Sequence, residues 1–428
     1  MIFLPLYIDP GTGSMLFSIL IGAAATLYFL SKAAILKLKL ILSGKKNGAA
    51  KTDASYKKYV IFCEGKQYYN VFKPVIEQFE MRKIPLAYYT AANDDPVLNE
   101  KFEYVKPEFI GEGNSAFIHL NMLSAGIVLM TTPGLQVYQM KRSKKVLHYS
   151  HVLHMPNDAT TYRLFGLDYF DSVLLSGDYQ KADIRALEKQ RGIPEKELVT
   201  AGCSYLDVLS QKIASVPDEK NHPFTVLVSP SWGKVGVLAR YGEKLLDPLV
   251  KTGWRIIVRP HPQSKKSESE MLKRLEDRYK DNKNLEWDYE RDNIYAMKKA
   301  DMMISDFSGI IFDYTFLCDK PVMYVASDMD LRPYDAWDLH KPLWQFTILE
   351  KMGIKLDEKD FDRIQEVIKE ASDSPSLAEA RKEAKATAWM HIGQAGKNIA
   401  DFMIKTVEEQ EKRASDAQSQ VQQKGLKK

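Results

Sequence analysis

The sequence has 428 residues, and its 60 Lys and Arg residues against 56 Asp and Glu residues give a formal net charge of +4. A chain of this length predicts two domains, and so small a charge gives no indication of a nucleic-acid-binding protein. The cysteines Cys63, Cys203 and Cys318 are far apart and form no Cys-x-x-Cys pair, which excludes a zinc ribbon and a disulfide framework.

The N-terminal segment is the strongest departure from an average soluble sequence. Asp9 is the only charged residue among the first 31, and the apolar run from Met15 to Leu42 is long enough to cross a bilayer. Lysines cluster at the C-terminal end of this run and none precedes it, which argues against a cleaved signal peptide and predicts that the following domains are cytoplasmic. We therefore expect a single-pass protein of the cell membrane with a transmembrane anchor over residues 1–42.

After a polar linker (43–56), short β-rich runs alternate with helical patterns in two sets. This alternation predicts an α/β fold with two doubly wound parallel sheets, which form two Rossmann-like domains facing a cleft. The polar segment SVPDEKNHP marks the boundary between an N-terminal domain over 57–215 and a C-terminal domain over 216–405, and a charged, flexible tail is expected over 406–428. The predicted strands lie at 58–64, 85–91, 125–132, 145–151, 171–177, 224–230, 254–260, 284–289, 301–305 and 320–325.

The segment DMMISDFSGIIFDYTFLCDKPVMYV (301–325) predicts a strand, a turn and a helix. Free backbone N–H groups at the start of that helix, together with the hydroxyls of Ser305 and Ser308, predict a phosphate cradle, and Gly309 allows the backbone to approach a ligand closely. Asp306 can instead cap the helix. Asp313 is costly to bury, so we expect it to pair with a basic residue or to face the cleft.

Two histidine-containing segments are further candidates. In RIIVRPHPQ (255–263), a strand delivers Arg259 and His261 to its carboxyl end, where Arg can clamp a phosphate and His can neutralise a leaving phosphate. In HYSHVLH, three histidines recur at intervals of three residues. On a helix this spacing can gather metal ligands, but the segment is typical of a strand entering a loop, so catalysis or packing is favoured over metal binding.

These segments resemble the CDP-glycerol glycerophosphotransferase family, whose members prime and polymerise wall teichoic acid. The resemblance is carried by the 301–325 segment and by IIVRPHP, with weaker support from YLDVL after AGCS and from LVSPSWG, and it extends over about residues 140–345. It implies a GT-B fold with the active site between the domains. It also implies transfer of glycerol phosphate from CDP-glycerol to a hydroxyl of a lipid-linked acceptor, with release of CMP.

The resemblance assigns roles to individual residues. His151 corresponds to the proposed base on the acceptor hydroxyl, and His261 to a histidine that stabilises the donor diphosphate. His154 remains a rival base, because this chain has Ser-His-Val where the family often has Trp-His-Gly. The family's second turn serine is Gly309 here, and the arginine after its tryptophan is Gly233, so a CDP-alcohol other than CDP-glycerol stays open.

The expected site therefore has two catalytic histidines and a larger donor-binding set. The catalytic residues are His151 and His261, the donor or phosphate contacts are Arg259, Ser305, Asp306, Ser308, Gly309, Asp313 and Lys320, and the further candidates are His154, Ser229, Ser231 and Asp207. We expect no metal or cofactor, and as partners a CDP-alcohol, a polyprenyl-linked acceptor and the membrane. The alternatives are a GT-B glycosyltransferase that uses a nucleotide sugar and a non-catalytic membrane scaffold.

Overall fold

The computed structural model describes Ser31 and residues 55–219, 221–290, 292–326 and 329–425. Apart from Ser31, the predicted anchor over 1–42 lies outside the described residues, as does most of the linker over 43–56. Within the described part of the chain, no helix is both long enough and apolar enough to span a membrane. The remaining described residues form two α/β domains, each built on one parallel sheet, as the alternating patterns predict.

The N-terminal domain is built on a sheet of seven parallel strands. They are β1 (Lys57–Cys63), β2 (Leu86–Thr90), β3 (Val105–Phe109), β4 (Ser124–Met130), β5 (Lys145–Val152), β6 (Ser172–Leu175) and β7 (Glu197–Thr200). Their spatial order is β3-β2-β1-β4-β5-β6-β7, with Val60 of β1 opposite Ala87 of β2 and Val128 of β4. The sheet is therefore doubly wound, and the strand order reverses between β1 and β4.

Both faces of this sheet are covered, which explains its continuous apolar runs. Along β1, Ile61 and Cys63 belong to one hydrophobic cluster, and Val60 and Phe62 belong to the other. A strand buried on both faces needs apolar residues at consecutive positions, and that pattern predicts β1, β2, β4, β5 and β6. The sequence patterns did not predict β3 and β7, because these strands lie at the sheet edges, where polar residues and Pro107 are tolerated.

The C-terminal domain repeats this architecture with six parallel strands. They are β8 (Thr225–Val228), β9 (Arg255–Val258), β10 (Leu285–Trp287), β11 (Met302–Ser305), β12 (Val322–Tyr324) and β13 (Ile354–Lys355). The order β10-β9-β8-β11-β12-β13 is the Rossmann order, with its reversal between β8 and β11. The edge strand β13 has only two residues and was not predicted.

Helices connect the strands and cover the sheets. The described α-helices are α1 (Tyr69–Met81), α2 (Asn114–Asn121), α3 (Lys181–Arg191), α4 (Ser204–Ser215), α5 (Val237–Lys251), α6 (Ser264–Ser267), α7 (Ser269–Tyr279), α8 (Ile294–Lys299), α9 (Ile310–Cys318), α10 (Ala336–Leu339), α11 (Trp344–Met352), α12 (Ile364–Ser372), α13 (Pro375–Ala388) and α14 (Ala395–Gly425). Helix α4 lies at the junction of the domains and packs against α1, α8 and α9.

The last helix, α14, crosses back to the N-terminal domain. Its side chains at Ile399, Phe402, Met403 and Val407 are buried in the same cluster as α1 and β1, because apolar residues three and four positions apart form one stripe along a helix. The predicted domain limit at residue 405 and the predicted flexible tail over 406–428 are therefore wrong for this segment. It belongs to the N-terminal domain and stays helical to Gly425.

A second connection between the domains joins the loop after β5 to α11. The Asp158 carboxylate accepts hydrogen bonds from the backbone N–H groups of Trp344 (2.9 Å) and Gln345 (2.8 Å), so one domain caps a helix of the other. Nearby, the guanidinium of Arg191, at the end of α3, donates to the carboxylate of Asp335, just before α10, at 2.6 Å. These contacts hold the two domains in a fixed relation.

Candidate active site

A cleft of about 830 Å³ separates the two domains. Its walls are the loops that follow β1, β2 and β5 in the N-terminal domain and β8, β9 and β11 in the C-terminal domain, and α4 lies between them. Ligands bind at the carboxyl ends of the strands in doubly wound sheets, where the strand order reverses. Five of the predicted residues line this cleft: Ser229, Arg259, His261, Ser308 and Gly309.

The turn between β11 and α9 forms the part of the wall best suited to an anion. Ser308 and Gly309 line the cleft, and Gly309 is the residue that precedes the first turn of α9. No described side chain caps this helix, and the N–H groups of Gly309 and Ile310 have no partner among the described residues, whereas Ile311 and Phe312 donate to backbone carbonyls of the turn. Ser308 and Gly309 therefore lie at the cleft as expected, and the phosphate cradle stays a prediction.

Asp306 supports this turn from behind. The residue is only 1% exposed, and its carboxylate accepts hydrogen bonds from the backbone N–H groups of Ser231 (3.0 Å), Val237 (3.1 Å) and Ser308 (3.1 Å). Val237 is the first residue of α5, so Asp306 caps α5. The sequence had suggested a cap of α9 instead. Burial raises the pKa of Asp306, and the hydrogen bond from Ser231 opposes this effect.

Gly309 lies against the N-terminal domain. A Cβ atom at this position would lie only 2.4 Å from Cε of Met155, which follows β5. The backbone φ of −58° is accessible to any residue, so a larger side chain is opposed here by the space that Met155 occupies and not by backbone conformation. The backbone at Gly309 was expected to approach a ligand closely, and in the structure it approaches the side chain of Met155.

His261 lines the cleft on the loop after β9. Its Nδ1 accepts a hydrogen bond from the backbone N–H of Gln263 at 3.1 Å, so the neutral ring carries its proton on Nε2. Burial lowers the pKa of His261, although Asp306 and Glu268 oppose this effect. A neutral His261 can thus donate one hydrogen bond to a phosphate oxygen.

Arg259 borders the cleft but is already paired. Its Nη1 donates to the Asp288 carboxylate at 2.6 Å, and its Nη2 donates to the carbonyl of Glu290 at 2.7 Å. The side chain is 10% exposed. The predicted phosphate clamp is therefore replaced by an ion pair that holds the loop after β10.

Ser305 and Lys320 have structural partners in place of the predicted phosphate. The fully buried Ser305 hydroxyl donates to the carbonyl of Ser229 at 2.5 Å, which ties the end of β11 to the end of β8. The Lys320 ammonium donates to the carbonyls of Lys298 (3.1 Å) and Ala300 (2.6 Å), so it caps the C-terminus of α8. Both residues fix the sheet and helix that carry the cleft.

Asp207 and Ser231 also serve the scaffold. The buried Asp207 carboxylate accepts hydrogen bonds from Trp389 Nε1 (2.9 Å) and from the N–H groups of Gly393 (2.8 Å) and Ala395 (3.1 Å). It therefore fixes the point at which the chain enters α14. Ser231 takes part through its backbone N–H in the turn described above.

Asp313 does not line the cleft, but it is hydrogen-bonded to Tyr205, which does. It is 3% exposed, its Oδ2 accepts a hydrogen bond from the Tyr205 hydroxyl at 3.1 Å, and its Oδ1 has no described partner. Burial raises the pKa of Asp313 to about 7, against the effect of that hydrogen bond. We expected a basic partner or direct contact with the cleft. The structure instead provides a phenol, and Tyr205 is the residue that lines the cleft.

The three regularly spaced histidines do not form a single set. His148 and His151 belong to strand β5, so an interval of three residues places them on opposite faces of the sheet. Nε2 of His148 lies 2.8 Å from the Ser172 hydroxyl. The metal interpretation needed a helix at this position, and the strand contradicts it.

His151 and His154 are linked through Tyr162. The Tyr162 hydroxyl lies 3.0 Å from Nε2 of His151 and 3.3 Å from Nδ1 of His154, and that Nδ1 also lies 3.1 Å from the Thr131 hydroxyl. Burial lowers the pKa of His151 to about 3 and that of His154 to about 4, so both rings are neutral at pH 7. His151 is wholly buried, whereas His154 is partly exposed and adjoins Met155 at the cleft.

Sequence analysis missed the lysines of the cleft. Lys66, Lys73 and Lys212 all line it. Lys66 forms an ion pair with Asp94, and Lys212 lies 3.9 Å from Asp292. The loop after the first strand of a doubly wound sheet lies beside the reversal of strand order, and that signal could have identified Lys66.

Solved structures with the same fold include a wall teichoic acid polymerase, TagF, with a TM-score of 0.53 and 14% identity over 82% of this chain and 89% of that chain. A structure of TagF soaked with CDPG has a TM-score of 0.52 and 15% identity over 92% and 98% of the two chains. UDP-GlcNAc 2-epimerase from Neisseria meningitidis has a TM-score of 0.52 and 14% identity over 82% and 100%. At such low sequence identity, these structural matches show only a shared GT-B-like fold of two parallel-sheet domains. One fold can carry several reactions. A comparison with curated proteins finds no match.

A family model distinguishes among these reactions. It is described as CDP-Glycerol:Poly(glycerophosphate) glycerophosphotransferase and matches residues 113–336, just over half of the 428 residues. The matched span contains the loops after β5, β8, β9 and β11, and therefore parts of both walls of the cleft. The chain belongs to the CDP-glycerol glycerophosphotransferase family and is a CDP-glycerol-using transferase.

Proposed function

We propose that the protein transfers glycerol phosphate, or a related polyol phosphate, from a CDP-alcohol to a hydroxyl of a lipid-linked glycan or polymer and releases CMP. One observation carries this proposal. His261 and the uncapped start of α9 lie on one wall of the cleft, and the loop that bears His154 and Met155 lies on the other. An anionic donor and a hydroxyl acceptor can therefore meet between the domains.

The C-terminal wall suits the diphosphate of the donor. The N–H groups at the start of α9 and the Nε2–H of His261 are hydrogen-bond donors, and the Lys212 ammonium adds positive charge at the cleft. These groups can stabilise the charge that develops on CMP as it leaves. Because they are held by Asp306 and by the backbone of Gln263, they need little reorganisation during the reaction.

The N-terminal wall supplies the base, and we assign that role to His154 in preference to His151. His154 is neutral at pH 7 and directly precedes Met155, which lines the cleft, and its Nδ1 can donate its proton to the Thr131 or Tyr162 oxygen. In that tautomer Nε2 is free to accept the proton of the acceptor hydroxyl. His151, which is fully buried, orients Tyr162 from behind.

The transfer then balances in a single displacement. The acceptor oxygen attacks the phosphorus that carries glycerol, and its proton passes to Nε2 of His154. The bond between this phosphorus and the oxygen bridging to the CMP phosphate breaks, and CMP leaves with the electron pair of that bond. In this proposal, His261 and the start of α9 stabilise the negative charge on CMP.

The membrane part of the proposal is supported by the sequence of residues 1–42. The apolar run and the lysines at its end favour a transmembrane anchor with both domains in the cytoplasm, where CDP-activated donors are available. An anchored enzyme also stays close to a polyprenyl-linked acceptor. Carbonate extraction of membranes tests this part separately. The full-length protein should sediment with the membranes, and residues 55–428 alone should not.

The reaction class is tested by CMP release from the purified full-length protein in detergent. A panel of CDP-alcohols and UDP-sugars is offered with a lipid-linked acceptor extract. We expect acceptor-dependent CMP from CDP-glycerol or one other CDP-alcohol, and loss of at least ~10²-fold in rate in His261→Ala. Turnover of a UDP-sugar with no CMP from any donor would contradict the proposal.

A further inference from the structure

Tyr205 and Asp313 form a buried pair that the transfer described above does not use. Tyr205 is at the start of α4 and lines the cleft, and Asp313 lies behind it in α9. The Tyr205 hydroxyl donates to Oδ2 of Asp313 at 3.1 Å, while Oδ1 is buried without a described partner. A buried carboxyl with one neutral partner is costly to ionise, so the pair is poised to hold a proton.

The titratable groups around Asp313 do not compensate its charge. The thiols of Cys203 and Cys318 interact with Asp313, and burial raises their pKa values to about 12 and about 11, so both are neutral near pH 7. Asp292 is a further acid near Tyr205. None of these groups is a cation.

The cations of the neighbouring elements have other partners. Lys320 binds the carbonyls at the end of α8, and Arg381 on α13 faces Asp319 at 3.9 Å. Burial is accordingly the main cause of the raised pKa of Asp313, and the Tyr205 hydrogen bond is the only opposing cause.

The residues on one face of α4 are suited to an anionic ligand. Tyr205, Leu209 and Lys212 are spaced four and three residues apart, so they share one side of the helix, and all of them line the cleft. Ser308 and Gly309, at the start of α9, line the same cleft. Tyr205 and Lys212 therefore line the same cleft as the proposed phosphate cradle.

We propose that the Tyr205 hydroxyl contacts a phosphate oxygen of the donor and that the protonation state of Asp313 sets the direction of this hydroxyl. When Asp313 is protonated, its O–H donates to the Tyr205 oxygen, and the Tyr205 proton is free for the phosphate. When Asp313 is ionised, Tyr205 donates to Asp313 and offers the phosphate only lone pairs. Tyr205 is then a donor-binding residue, and Asp313 is its positioning residue.

The consequence is a pH dependence of donor binding. Productive contact requires the protonated acid, so affinity for CDP-glycerol falls as pH rises through about 7, the pKa of Asp313. The nearby histidines do not obscure this change, because burial lowers the pKa values of His154 and His261 below their usual value. The doubly esterified diphosphate of CDP-glycerol has no ionisation near pH 7, unlike a phosphate monoester with a pKa of about 6.

The test is the dissociation constant of CDP-glycerol, measured by calorimetry on the full chain between pH 6 and pH 8.5. We expect wild-type binding to weaken about tenfold over this range, the scale of one hydrogen bond to a charged group. Asp313→Asn should keep the low-pH affinity throughout, because its amide always donates to Tyr205. Tyr205→Phe should bind about tenfold more weakly at pH 6 and show no step near pH 7.

Tyr314→Phe is the matched control, because it removes a buried hydroxyl from the same helix that bonds the carbonyl of Ala300 at 3.2 Å. It should keep the wild-type profile. An unchanged pH profile in both Asp313→Asn and Tyr205→Phe would overturn this inference and leave the proposed function intact. The inference rests on that function, and failure of the wild type to bind CDP-glycerol at any pH would overturn both.

Discussion

Gly309 and Met155 meet across the cleft: a Cβ atom at position 309 would lie 2.4 Å from Cε of Met155. The two residues follow β11 and β5, so each comes from a different sheet. Their contact places the turn at Ser308 and Gly309 directly against the loop that carries His154. A side chain at position 309 would therefore have to displace Met155 on the opposite wall of the cleft.

Gly309→Ala is expected to displace the terminal methyl of Met155 and to lower kcat/KM for CDP-glycerol by about tenfold. The stability cost should be only about 1 kcal/mol, because a flexible side chain can move. Met155→Ala in the same protein removes the clash and should restore most of the activity. A Gly309→Ala enzyme with wild-type kinetics, or one not rescued by the second change, would contradict this account of the glycine.

Substitution of Lys320 and of Lys212 should distinguish a residue that supports the fold from one that binds the donor. Lys320→Met removes the hydrogen bonds to Lys298 and Ala300, so it should lower the free energy of unfolding by about 2 kcal/mol and leave KM for the donor unchanged. Lys212→Met removes a charge at the cleft and should raise KM with little change in stability. Urea denaturation and steady-state kinetics on both variants decide the matter. A raised KM in Lys320→Met would return Lys320 to the donor site.

The stability of the protein should fall as pH rises from about 4 to about 7. The native Asp313 carboxyl keeps its proton up to about pH 7, whereas an unfolded Asp releases it near 3.8, so the native state binds more protons in this interval. Asp158, whose pKa burial raises to about 6, acts in the same direction. Asp313→Asn should therefore flatten this fall and be more stable than the wild type at pH 8.

The measurement is the midpoint of urea unfolding at half-unit pH steps. Asp277→Asn, which changes an exposed carboxyl, is the control for the loss of one acid. The account of Asp313 would be wrong if Asp313→Asn and Asp277→Asn gave the same slope as the wild type.

The two histidines of the N-terminal wall should differ in their kinetic effects. His154→Ala removes the proposed base and should lower kcat by at least ~10²-fold without a large change in KM. His151→Phe fills the buried site and loses only the contact with Tyr162, so it should lower kcat by less. Single-turnover rates of CMP formation give the comparison directly. A greater loss in His151→Phe than in His154→Ala would restore His151 as the base.

Much of the architecture could be predicted from the sequence because the inner strands are buried on both faces. Ile61 and Phe62 point in opposite directions and are both apolar, and such runs are easily recognised. The edge strands lack this pattern, since three of the five residues of β3 are exposed and the strand contains Pro107. The return of α14 to the N-terminal domain depends on burial of Phe402 in one cluster with residues of α1 and β1, which are distant in sequence, and no local pattern reveals this.

The sequence predicted some of the residues that line the cleft but not the hydrogen-bond partners of those residues. Turns after buried strands identify His261 and Ser308 as cleft residues, because strand ends define the edge of the sheet. The sequence does not show that Arg259 is neutralised by Asp288 in the loop after β10, since such pairing is a tertiary contact. For the same reason it did not reveal that Tyr205, and not a cation, faces Asp313.

The most direct test of transfer at this cleft is the fate of label from CDP-glycerol that is radioactive in the glycerol moiety. The full-length protein, the labelled donor and a lipid-linked acceptor extract are incubated together, and both lipid-extractable label and CMP are quantified. We predict one labelled glycerol phosphate in the acceptor fraction for each CMP released, with both products lost in His261→Ala. Release of CMP without label in the acceptor fraction, or equal transfer by His261→Ala, would contradict the account.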